Sequence, residues 1–385
     1  MTTPIRFLFA ALALLLAAPM AVAQVAAPTI AARSWLLLDV TSGQTLAASD
    51  PDAKVEPASL TKLMTAYLAF SAIRDKRLAL DQRPAVSKNA WRAIGSRMFV
   101  DPTKPATVDE LLHGMIIQSG NDASIVLAEA LAGTEETFAQ QMNREAERMG
   151  LKNTQFRNAT GLPDPQHYTT ARDLATIASR LITDFPQNYG LYSQREYTYN
   201  NIRQPNRNRL LAIDPSVDGV KTGHTEAAGW CLIASARRDQ PGGGFQRRLL
   251  SVVLGAASEP ARMIESQKLL NWGFQNFDAV RVFAKDQEAA TYQVWKGSSR
   301  EVKAGIAQDL VVSIPRGQAA AVKAEIERVQ PLVAPVAKGQ RIGTLRVKLA
   351  DQLLAERPVI ALGAVDEGGF FGRVWDTIRL WFEKK

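Results

Sequence analysis

The sequence predicts an α+β fold built around an antiparallel sheet, followed by a small all-β domain and a C-terminal amphipathic helix. Strand-like segments stand near both ends of the region from residue 24 to 276, and helical patterns lie between them. From Phe277 the chain changes to short alternating apolar runs, which are typical of half-buried strands. We therefore expect a helical subdomain packed against a sheet whose first strands are joined by strands from much later in the chain.

The first residues have the pattern of a secretory signal peptide. One basic residue, Arg6, precedes the apolar run Phe7–Ala18, which is too short to span a membrane. The small residues of Ala21-Val22-Ala23 predict cleavage before Gln24. The alternative is a buried N-terminal helix, which the absence of a polar face disfavours. We expect residues 1–23 to direct export to the periplasm.

The next segments predict a hairpin and then helices. Ser34–Val40 and Gln44–Ala48 alternate like paired strands around a short turn, and a helix is expected from Ser59. A second helix is predicted over Thr107–Gln118, where Thr107 and Glu110 have capping-box spacing and an apolar stripe follows. A third helix is expected over Ala123–Leu131.

The end of this first domain, which we place at residues 24–276, is predicted to complete the sheet. Three strands are expected, over Val217–Thr222, Gly229–Arg237 and Arg248–Gly255. The turn Pro241–Gly244 joins the last two, and Arg262–Trp272 predicts a helix that could pack on them.

Residues 277–365 are expected to form a separate β-rich domain. Its predicted strands include Thr291–Trp295, Leu310–Ile314 and Ile342–Val347. This region contains no candidate catalytic grouping.

The last residues, 366–385, predict an amphipathic helix after a flexible joint at Asp366–Gly369. Apolar side chains recur at helical spacing, at Phe370, Phe371, Val374, Trp375, Ile378, Trp381 and Phe382. The helix is too short and too charged to cross a bilayer, but its aromatic face and basic end, Lys384 and Lys385, suit an anionic membrane surface. The alternative is a terminal helix docked on the protein's own core. We favour the membrane anchor because the aromatic residues are so dense.

Composition excludes several classes of site. With one cysteine and three histidines among 385 residues, the chain has no Cys/His metal cluster and no intramolecular disulfide. We therefore predict no metal and no cofactor. The formal charge of +8 suggests an anionic partner or surface.

A serine and a lysine one helical turn apart form the first candidate catalytic motif, Ser59-Leu60-Thr61-Lys62. The spacing places both side chains on one side of the predicted helix. A serine hydroxyl needs a nearby base, and an amine can serve as that base when burial or another cation lowers its pKa. Alone the motif is weak evidence for catalysis, because a serine that caps a helix and a solvated lysine one turn later have the same spacing.

Two further motifs are weak singly. In Ser119-Gly120-Asn121 the glycine permits a tight bend, Ser119 could relay a proton and Asn121 could hold a substrate amide. Lys221-Thr222-Gly223-His224 ends a predicted strand, where the lysine and the threonine could fix a carboxylate and Gly223 would let a substrate backbone lie close.

Together, in this order, the three motifs correspond to the signature of β-lactamases and penicillin-binding proteins, whose middle member is Ser-Asp-Asn. Here Gly120 stands in place of that aspartate, which is similar to the carboxypeptidase branch of penicillin-binding proteins and not to class A β-lactamases. The sequence resembles the low-molecular-mass penicillin-binding proteins, in particular the type-5/6 branch of D-alanyl-D-alanine carboxypeptidases of serine peptidase family S11. The resemblance is carried by Pro57–Thr65, Gln118–Ala123, Gly150–Thr154, Ala171–Asp173, Asn206–Asn208 and Asp218–Thr225. It implies a β-lactamase/transpeptidase-like fold for the first domain, and both the small β domain and the terminal helix agree with that branch.

The resemblance implies a role for each matched residue. Ser59 would be the acylated nucleophile, Lys62 its general base, and Ser119 would act with Lys221 in the proton and electrostatic network. Asn121 would contact the substrate.

The resemblance also implies that Thr222, Gly223 and His224 line the substrate, with the backbone N–H groups of Ser59 and His224 as the oxyanion hole. Arg207 and Arg262 match positions near the terminal carboxylate of the substrate. We expect the charge of Lys221 to help keep Lys62 neutral.

Other residues are expected to be structural. Cys231 falls in a predicted strand as a small core residue, and His113 and His167 are read as structural or solvated. No Glu-x-x-Leu-Asn stretch stands between the second and third motifs, so efficient β-lactamase activity is not expected.

The sequence therefore predicts a periplasmic serine D-alanyl-D-alanine carboxypeptidase, attached peripherally to the outer face of the inner membrane. Its partners would be peptidoglycan stem peptides, β-lactams and an anionic membrane surface, without nucleic acid. Two alternatives stay open: an endopeptidase acting on cross-links, and a catalytically idle wall- or membrane-binding scaffold.

Overall fold

The structure is a computed structural model that describes residues 25–383. The predicted signal peptide, its cleavage site before Gln24, and the basic end at Lys384 and Lys385 lie outside the described residues.

The described chain folds into strands and helices numbered here in chain order. The strands are β1 (Ser34–Asp39), β2 (Gln44–Ser49), β3 (Glu196–Tyr199), β4 (Ile202–Pro205), β5 (Val217–Thr225), β6 (Gly229–Asp239), β7 (Gln246–Ala256), β8 (Phe277–Phe283), β9 (Glu288–Gln293), β10 (Glu301–Gly305), β11 (Leu310–Pro315), β12 (Val322–Arg328), β13 (Arg341–Leu349) and β14 (Gln352–Ala361). The α-helices are α1 (Lys62–Arg74), α2 (Lys88–Trp91), α3 (Val108–His113), α4 (Asn121–Ala132), α5 (Glu135–Arg148), α6 (Ala171–Asp184), α7 (Pro186–Tyr189), α8 (Leu210–Ile213), α9 (Glu259–Asn276) and α10 (Phe370–Glu383). Short 3₁₀ turns occupy Ala58–Thr61, Gly190–Ser193 and Ala319–Ala321, and a π-helical turn occupies Gly114–Gln118.

The first sheet joins the two ends of the first domain, as predicted. Its strand order is β2-β1-β7-β6-β5, and every neighbouring pair is antiparallel. Successive residues of a strand face opposite sides, so Leu36 packs into the core shared with the helical subdomain and Leu37 into the core beneath α9. A Cβ on Gly273 of α9 would lie 2.6 Å from the Leu37 side chain, so this glycine permits close packing of helix on sheet. Strand β5 forms one edge of the sheet, next to the turn at Ala58–Thr61.

Several local predictions are confirmed. The hairpin forms as β1 and β2, and the three later strands form as β5, β6 and β7. The capping box also forms: the Glu110 backbone N–H donates to Thr107 Oγ1 (3.1 Å) and the Thr107 N–H donates to Glu110 Oε2 (2.7 Å). The predicted helix over Thr107–Gln118 is α3 followed by the π-helical turn, and the helix expected from Ser59 begins instead as a 3₁₀ turn.

Sequence inspection missed α5, α6 and the β3–β4 hairpin. Helix α6 carries a recognisable start, because the Asp173 N–H donates to the Thr170 hydroxyl (3.1 Å). Helix α5 is strongly charged and buries a narrow set of side chains, Phe138, Ala139, Met142 and Ala146. The β3–β4 hairpin is short and mostly exposed, so its sequence lacks the clear alternation of apolar and polar residues that predicts a strand.

The small β domain contains a sheet in the order β12-β13-β14-β10-β9 and the separate pair β11-β8. A buried ion pair connects it to the first domain: Arg247 Nε lies 2.7 Å from Asp39 Oδ2, and both side chains are almost fully buried. Arg247 also donates to the Phe277 carbonyl (2.6 Å), and the Ser313 hydroxyl donates to the same Asp39 oxygen. The turn after β1 is thus tied to strands β8 and β11.

The C-terminal helix α10 turns one side toward the small domain. Asp376 accepts a hydrogen bond from the Lys296 backbone N–H (2.7 Å), and Leu380 is half-buried beside it. The aromatic and aliphatic side chains predicted for the apolar face are all exposed: Phe370, Phe371, Val374, Trp375, Ile378, Trp381 and Phe382. Among the described residues, no helix has the length and apolar character needed to cross a membrane.

The segment Asp366–Gly369, for which a flexible joint was predicted, is hydrogen-bonded to the small domain. The Ser298 N–H donates to the Asp366 carbonyl (2.7 Å) and the Gly368 N–H donates to the Lys296 carbonyl (2.8 Å). These backbone hydrogen bonds hold the segment against the small domain, an interaction that its glycine-rich composition does not reveal.

Candidate active site

The turn that carries Ser59 is tightly constrained. Ala58 has a positive φ of 47°, and the following 3₁₀ turn passes directly into α1. Gly161 packs against this turn so closely that a Cβ there would lie 1.7 Å from the Ala58 carbonyl oxygen. Since Gly161 itself has a φ of +86°, both space and backbone conformation require glycine. Half-buried Ser59 is therefore held on a well-supported turn.

Lys62 is buried at the start of α1 and makes three polar contacts. Its Nζ lies 2.7 Å from Asn121 Oδ1, 2.6 Å from the Thr160 carbonyl oxygen and 3.0 Å from Ser59 Oγ. A neutral amine has two N–H donors and one lone pair. Because the amide and carbonyl oxygens can only accept, they take the two donors, and the lone pair is left for the Ser59 hydroxyl proton.

The surroundings of Lys62 favour the neutral amine. Burial lowers the pKa of Lys62 to about 7, with Asp122 and Glu135 opposing the shift and Arg207 adding to it. We expected Lys221 to supply this neighbouring positive charge. Instead, burial is the main cause of the lowered pKa of Lys62. The pKa of Lys221 is also lowered well below its usual value, first by burial and then by the charge of Lys62.

Ser119 and Asn121 come from the bend between the π-helical turn and α4. Ser119 adopts the left-handed conformation (φ 67°), and its buried hydroxyl has no hydrogen-bond partner in the described part of the chain. Asn121 was expected to hold a substrate amide. Its side chain here accepts from Lys62 and donates to the Ile94 carbonyl (2.7 Å), so it positions the lysine.

Asp122 holds the loop beside this bend and was missed at the sequence level. Its carboxylate accepts from the backbone N–H groups of Met98 (2.9 Å), Phe99 (2.7 Å) and Val100 (3.1 Å). In the same loop, the Ser96 carbonyl oxygen accepts a hydrogen bond from the Asn121 backbone N–H (2.7 Å). The acidic residue directly after the second motif was the available signal, because a buried carboxylate at a helix N-terminus commonly binds backbone N–H groups.

Thr160 was also missed, because it contributes through its main-chain carbonyl. Asn158 Oδ1 accepts from the N–H groups of Thr160 (3.1 Å) and Gly161 (2.7 Å), which shapes the turn that presents this carbonyl to Lys62. The Asn-Ala-Thr-Gly composition predicts a turn, but nothing in it indicates contact with the first motif.

The third motif lies on edge strand β5, facing the Ser59 turn. Lys221 and Thr222 are buried, and Lys221 Nζ lies 3.2 Å from the Thr222 carbonyl oxygen. A Cβ on Gly223 would come within 3.2 Å of Leu60 and 3.3 Å of the Pro57 carbonyl oxygen, so glycine allows the strand to approach the nucleophile. The structure therefore brings together all three motifs.

Arg207 and Arg262 line one cavity of about 310 Å³ together with Thr222. Arg207 is exposed, whereas Arg262 is buried, donates to the Gly223 carbonyl (3.3 Å) and lies over Trp230. The cavity therefore presents one guanidinium to solvent and holds a second beneath the end of β5.

The remaining residues singled out from sequence lie around the site or in the core. His224 is exposed and stacks on Trp230, with ring centroids 4.0 Å apart. Burial raises the pKa of Cys231 to about 11, in agreement with an unreactive core thiol. His167 is buried against Thr61 (3.0 Å), and His113 contacts the Asp109 carbonyl (2.8 Å), so both are structural.

This arrangement suits acyl transfer. A hydroxyl lies within hydrogen-bond distance of an amine that can be neutral, and cationic groups stand where an anionic substrate end would be held.

Comparison with known proteins agrees with that chemistry. Residues 21–258 match the family model described as D-alanyl-D-alanine carboxypeptidase, and residues 277–367 match the model for the C-terminal domain of penicillin-binding protein 5. The D-alanyl-D-alanine carboxypeptidase DacC of Escherichia coli is 43% identical over 369 residues, which cover 94% of this chain and 90% of that protein.

Solved structures match as well. Penicillin-binding protein 5 from Haemophilus influenzae superposes with a TM-score of 0.84 at 38% identity, covering 89% of this chain and 100% of that one. Penicillin-binding protein D2 from Listeria monocytogenes, solved in an ampicillin-bound form, matches with a TM-score of 0.59 at 29% identity, over 65% of this chain and 100% of that one.

Proposed function

Because the chain belongs to the D-alanyl-D-alanine carboxypeptidase family, it is a serine-type carboxypeptidase of cell-wall peptidoglycan, and we propose that Ser59 carries the acyl group. One observation supports this assignment above the others. Lys62, buried and with a pKa lowered to about 7, directs its two donors to oxygen acceptors and keeps its lone pair for Ser59.

In the proposed acylation step, Lys62 accepts the Ser59 proton while Oγ attacks the carbonyl carbon of the penultimate D-alanine. The backbone N–H groups of Ser59 and His224 stabilise the oxyanion. As the C–N bond breaks, the proton passes through Ser119 and Lys221 to the leaving amine, and free D-alanine departs. Water then hydrolyses the ester, which releases the shortened stem peptide and restores the serine.

We propose that the cationic residues of the site orient the substrate. Arg207, Thr222 and Arg262 bind the terminal carboxylate of the pentapeptide, because they share one cavity at the end of β5. Gly223 leaves room for the substrate backbone to run along the strand edge, and Asn121 borders the substrate while holding Lys62.

We further propose that β-lactams acylate the same serine. A β-lactam offers a strained amide and a carboxylate, which would face Ser59 and the Arg207–Arg262 cavity respectively. Hydrolysis of the resulting ester would be slow, since no glutamate motif for activating water was identified between the second and third motifs.

A Ser59→Ala variant tests the assignment, with Ser193→Ala, an exposed serine elsewhere in the chain, as the matched control. We expect mass spectrometry after penicillin treatment to place one adduct on the Ser59 peptide in the wild type and in the control, and none in Ser59→Ala. Release of D-alanine from a pentapeptide should fall by several orders of magnitude only in Ser59→Ala. Hydrolysis that persists unchanged in this variant would show that Ser59 does not carry the acyl group.

We also propose that the protein is exported and attached peripherally to the outer face of the inner membrane by α10. The exposed apolar face of this helix supports the proposal, because its polar side faces the small domain through Asp376. Replacing Trp375 and Trp381 together with serine should release the protein from vesicles, whereas Thr377→Ala on the same helix should not. Unchanged binding of the double variant would refute the attachment.

A further inference from the structure

A second cavity lies where α10 meets the small β domain. It has a volume of about 320 Å³, within the range of small-molecule sites. Its lining comes from strand β9 and the residues after it (Tyr292, Gln293, Trp295), from the segment Arg328–Leu332, and from Leu380 of α10. None of these residues belongs to the catalytic motifs, so the cavity is separate from the active site.

The charge of this cavity favours an anion. Arg328 is the one charged residue in its described lining, and no described carboxylate lines it. The neighbouring Glu327 pairs with Arg346 (2.7 Å) and does not neutralise Arg328. A second guanidinium, Arg379 of α10, lies over the Trp295 ring that forms part of the wall.

An acceptor and a neutral hydroxyl accompany the guanidinium. With its amide oriented so that its oxygen faces Arg328, Gln330 accepts hydrogen bonds from the Arg328 guanidinium and holds it at the cavity. The Tyr292 hydroxyl is buried and has no partner among the described residues. Burial raises the pKa of Tyr292 while Arg328 opposes the rise, so these two groups are within electrostatic reach of each other. A guanidinium accompanied by a hydroxyl is a donor pair suited to phosphate oxygens.

The position of the cavity identifies the source of that phosphate. An amphipathic helix at a membrane buries its apolar face roughly 5–10 Å into the boundary between headgroups and acyl chains. A helix is about 10 Å across, so its opposite side lies near the level of the headgroups. In α10 that opposite side is the one bearing Asp376 and Leu380, and Leu380 lines the cavity.

We propose that this cavity binds the phosphodiester headgroup of an anionic phospholipid, with Arg328 as its main contact. The inference rests on the membrane attachment proposed above and adds a specific lipid contact to it. The apolar face of α10 would supply most of the affinity, and the cavity would add selectivity for negatively charged lipid.

The test compares binding of the full mature chain to two kinds of vesicle, pure phosphatidylcholine and phosphatidylcholine mixed with phosphatidylglycerol. Arg328→Ala should lower the partition coefficient onto the mixed vesicles about five-fold, the effect of one surface cation at an anionic membrane, and leave binding to phosphatidylcholine unchanged. Gln330→Glu, which places a carboxylate beside Arg328, should lower binding in the same selective way.

The matched control is Arg357→Ala, which removes the same charge from the same domain at an exposed position outside the cavity lining. We expect it to change binding to the mixed vesicles much less than Arg328→Ala does. An equal loss in both arginine variants would mean diffuse attraction and would overturn the site, as would wild-type binding by Arg328→Ala. If the wild type binds neither vesicle, the attachment by α10 itself fails, which is a different result. D-alanine release from a soluble peptide should stay constant throughout and verifies that each variant is folded.

Discussion

If Lys62 is the base for acylation, the rate of acylation must follow the fraction of this amine that is neutral. The perturbation is pH itself, applied to the reaction of Ser59 with penicillin. At its usual pKa of 10.5 the amine would be about 0.03% neutral at pH 7, whereas at a pKa of about 7 it is about half neutral. The site therefore raises the reactive fraction by roughly three orders of magnitude.

The same arithmetic fixes the shape of the pH profile. Below the pKa the neutral fraction falls about tenfold per pH unit, so the second-order rate constant of acylation should drop roughly 50-fold between pH 7 and pH 5. The measurement is adduct formation followed by mass spectrometry over this range, with circular dichroism to verify that the protein stays folded.

Two substitutions should move the midpoint in opposite directions. Glu135 raises the pKa of Lys62, so Glu135→Gln should shift the midpoint to lower pH, and the amide oxygen can still accept from the Ala159 N–H (2.9 Å). Arg207 lowers that pKa, so Arg207→Ala should shift the midpoint to higher pH. Arg207→Ala is also expected to reduce the maximal rate, since Arg207 is proposed to bind the substrate carboxylate, but the midpoint reports the pKa of Lys62 separately.

A rate that is flat from pH 5 to pH 8 in the folded wild type would refute the reasoning about Lys62. So would shifts of the same sign in Glu135→Gln and Arg207→Ala, because the two charges are opposite and act on one amine.

Three further predictions concern the scaffold. Arg247→Met leaves the buried Asp39 carboxylate without its cation and should lower the free energy of unfolding by about 3–5 kcal/mol in urea titrations; a loss near zero would contradict the pairing. Gly161→Ala should abolish penicillin acylation or folding, because its Cβ would overlap the Ala58 carbonyl; an active, stable variant would show that the turn can move. Cys231, with its pKa raised to about 11, should resist iodoacetamide in the folded protein and react after unfolding, so rapid native labelling would contradict its burial.

The sequence predicted the site residues whose side chains are neighbours along the chain. Ser59 and Lys62 are three positions apart, so any helical turn brings them close, and the structure places their atoms 3.0 Å apart. The β5 segment was recognisable because apolar residues, Lys221 and Gly223 stand close together on one strand. In both cases local periodicity determines the geometry.

Contacts made by the main chain, or between distant segments, could not be predicted in this way. The Thr160 carbonyl bonds Lys62 across 98 positions, and a carbonyl group is present in every residue, so composition does not distinguish it. Asn121 was predicted to hold a substrate amide because it flanks the tight bend at Gly120, whereas in the structure its amide contacts Lys62 and Ile94, which are distant in sequence. The segment Asp366–Gly369 was predicted to be a flexible joint from its composition, and its hydrogen-bond partners are backbone groups of residues 296–298, which are distant in sequence.

The distribution of charge in the site follows from placing two lysines in one buried space. Burial lowers the pKa of both Lys62 and Lys221, and the charge of Lys62 further lowers that of Lys221, so the doubly protonated state is strongly disfavoured. Arg207 and Arg262 are guanidinium groups, which remain charged under these conditions. The permanent positive charge thus stands at the cavity proposed for the substrate carboxylate, while Lys62, which can lose its proton, stands 3.0 Å from Ser59 Oγ. An arginine in place of Lys62 would keep the positive charge but could not accept the proton of Ser59. Lys62→Arg should therefore lose acylation.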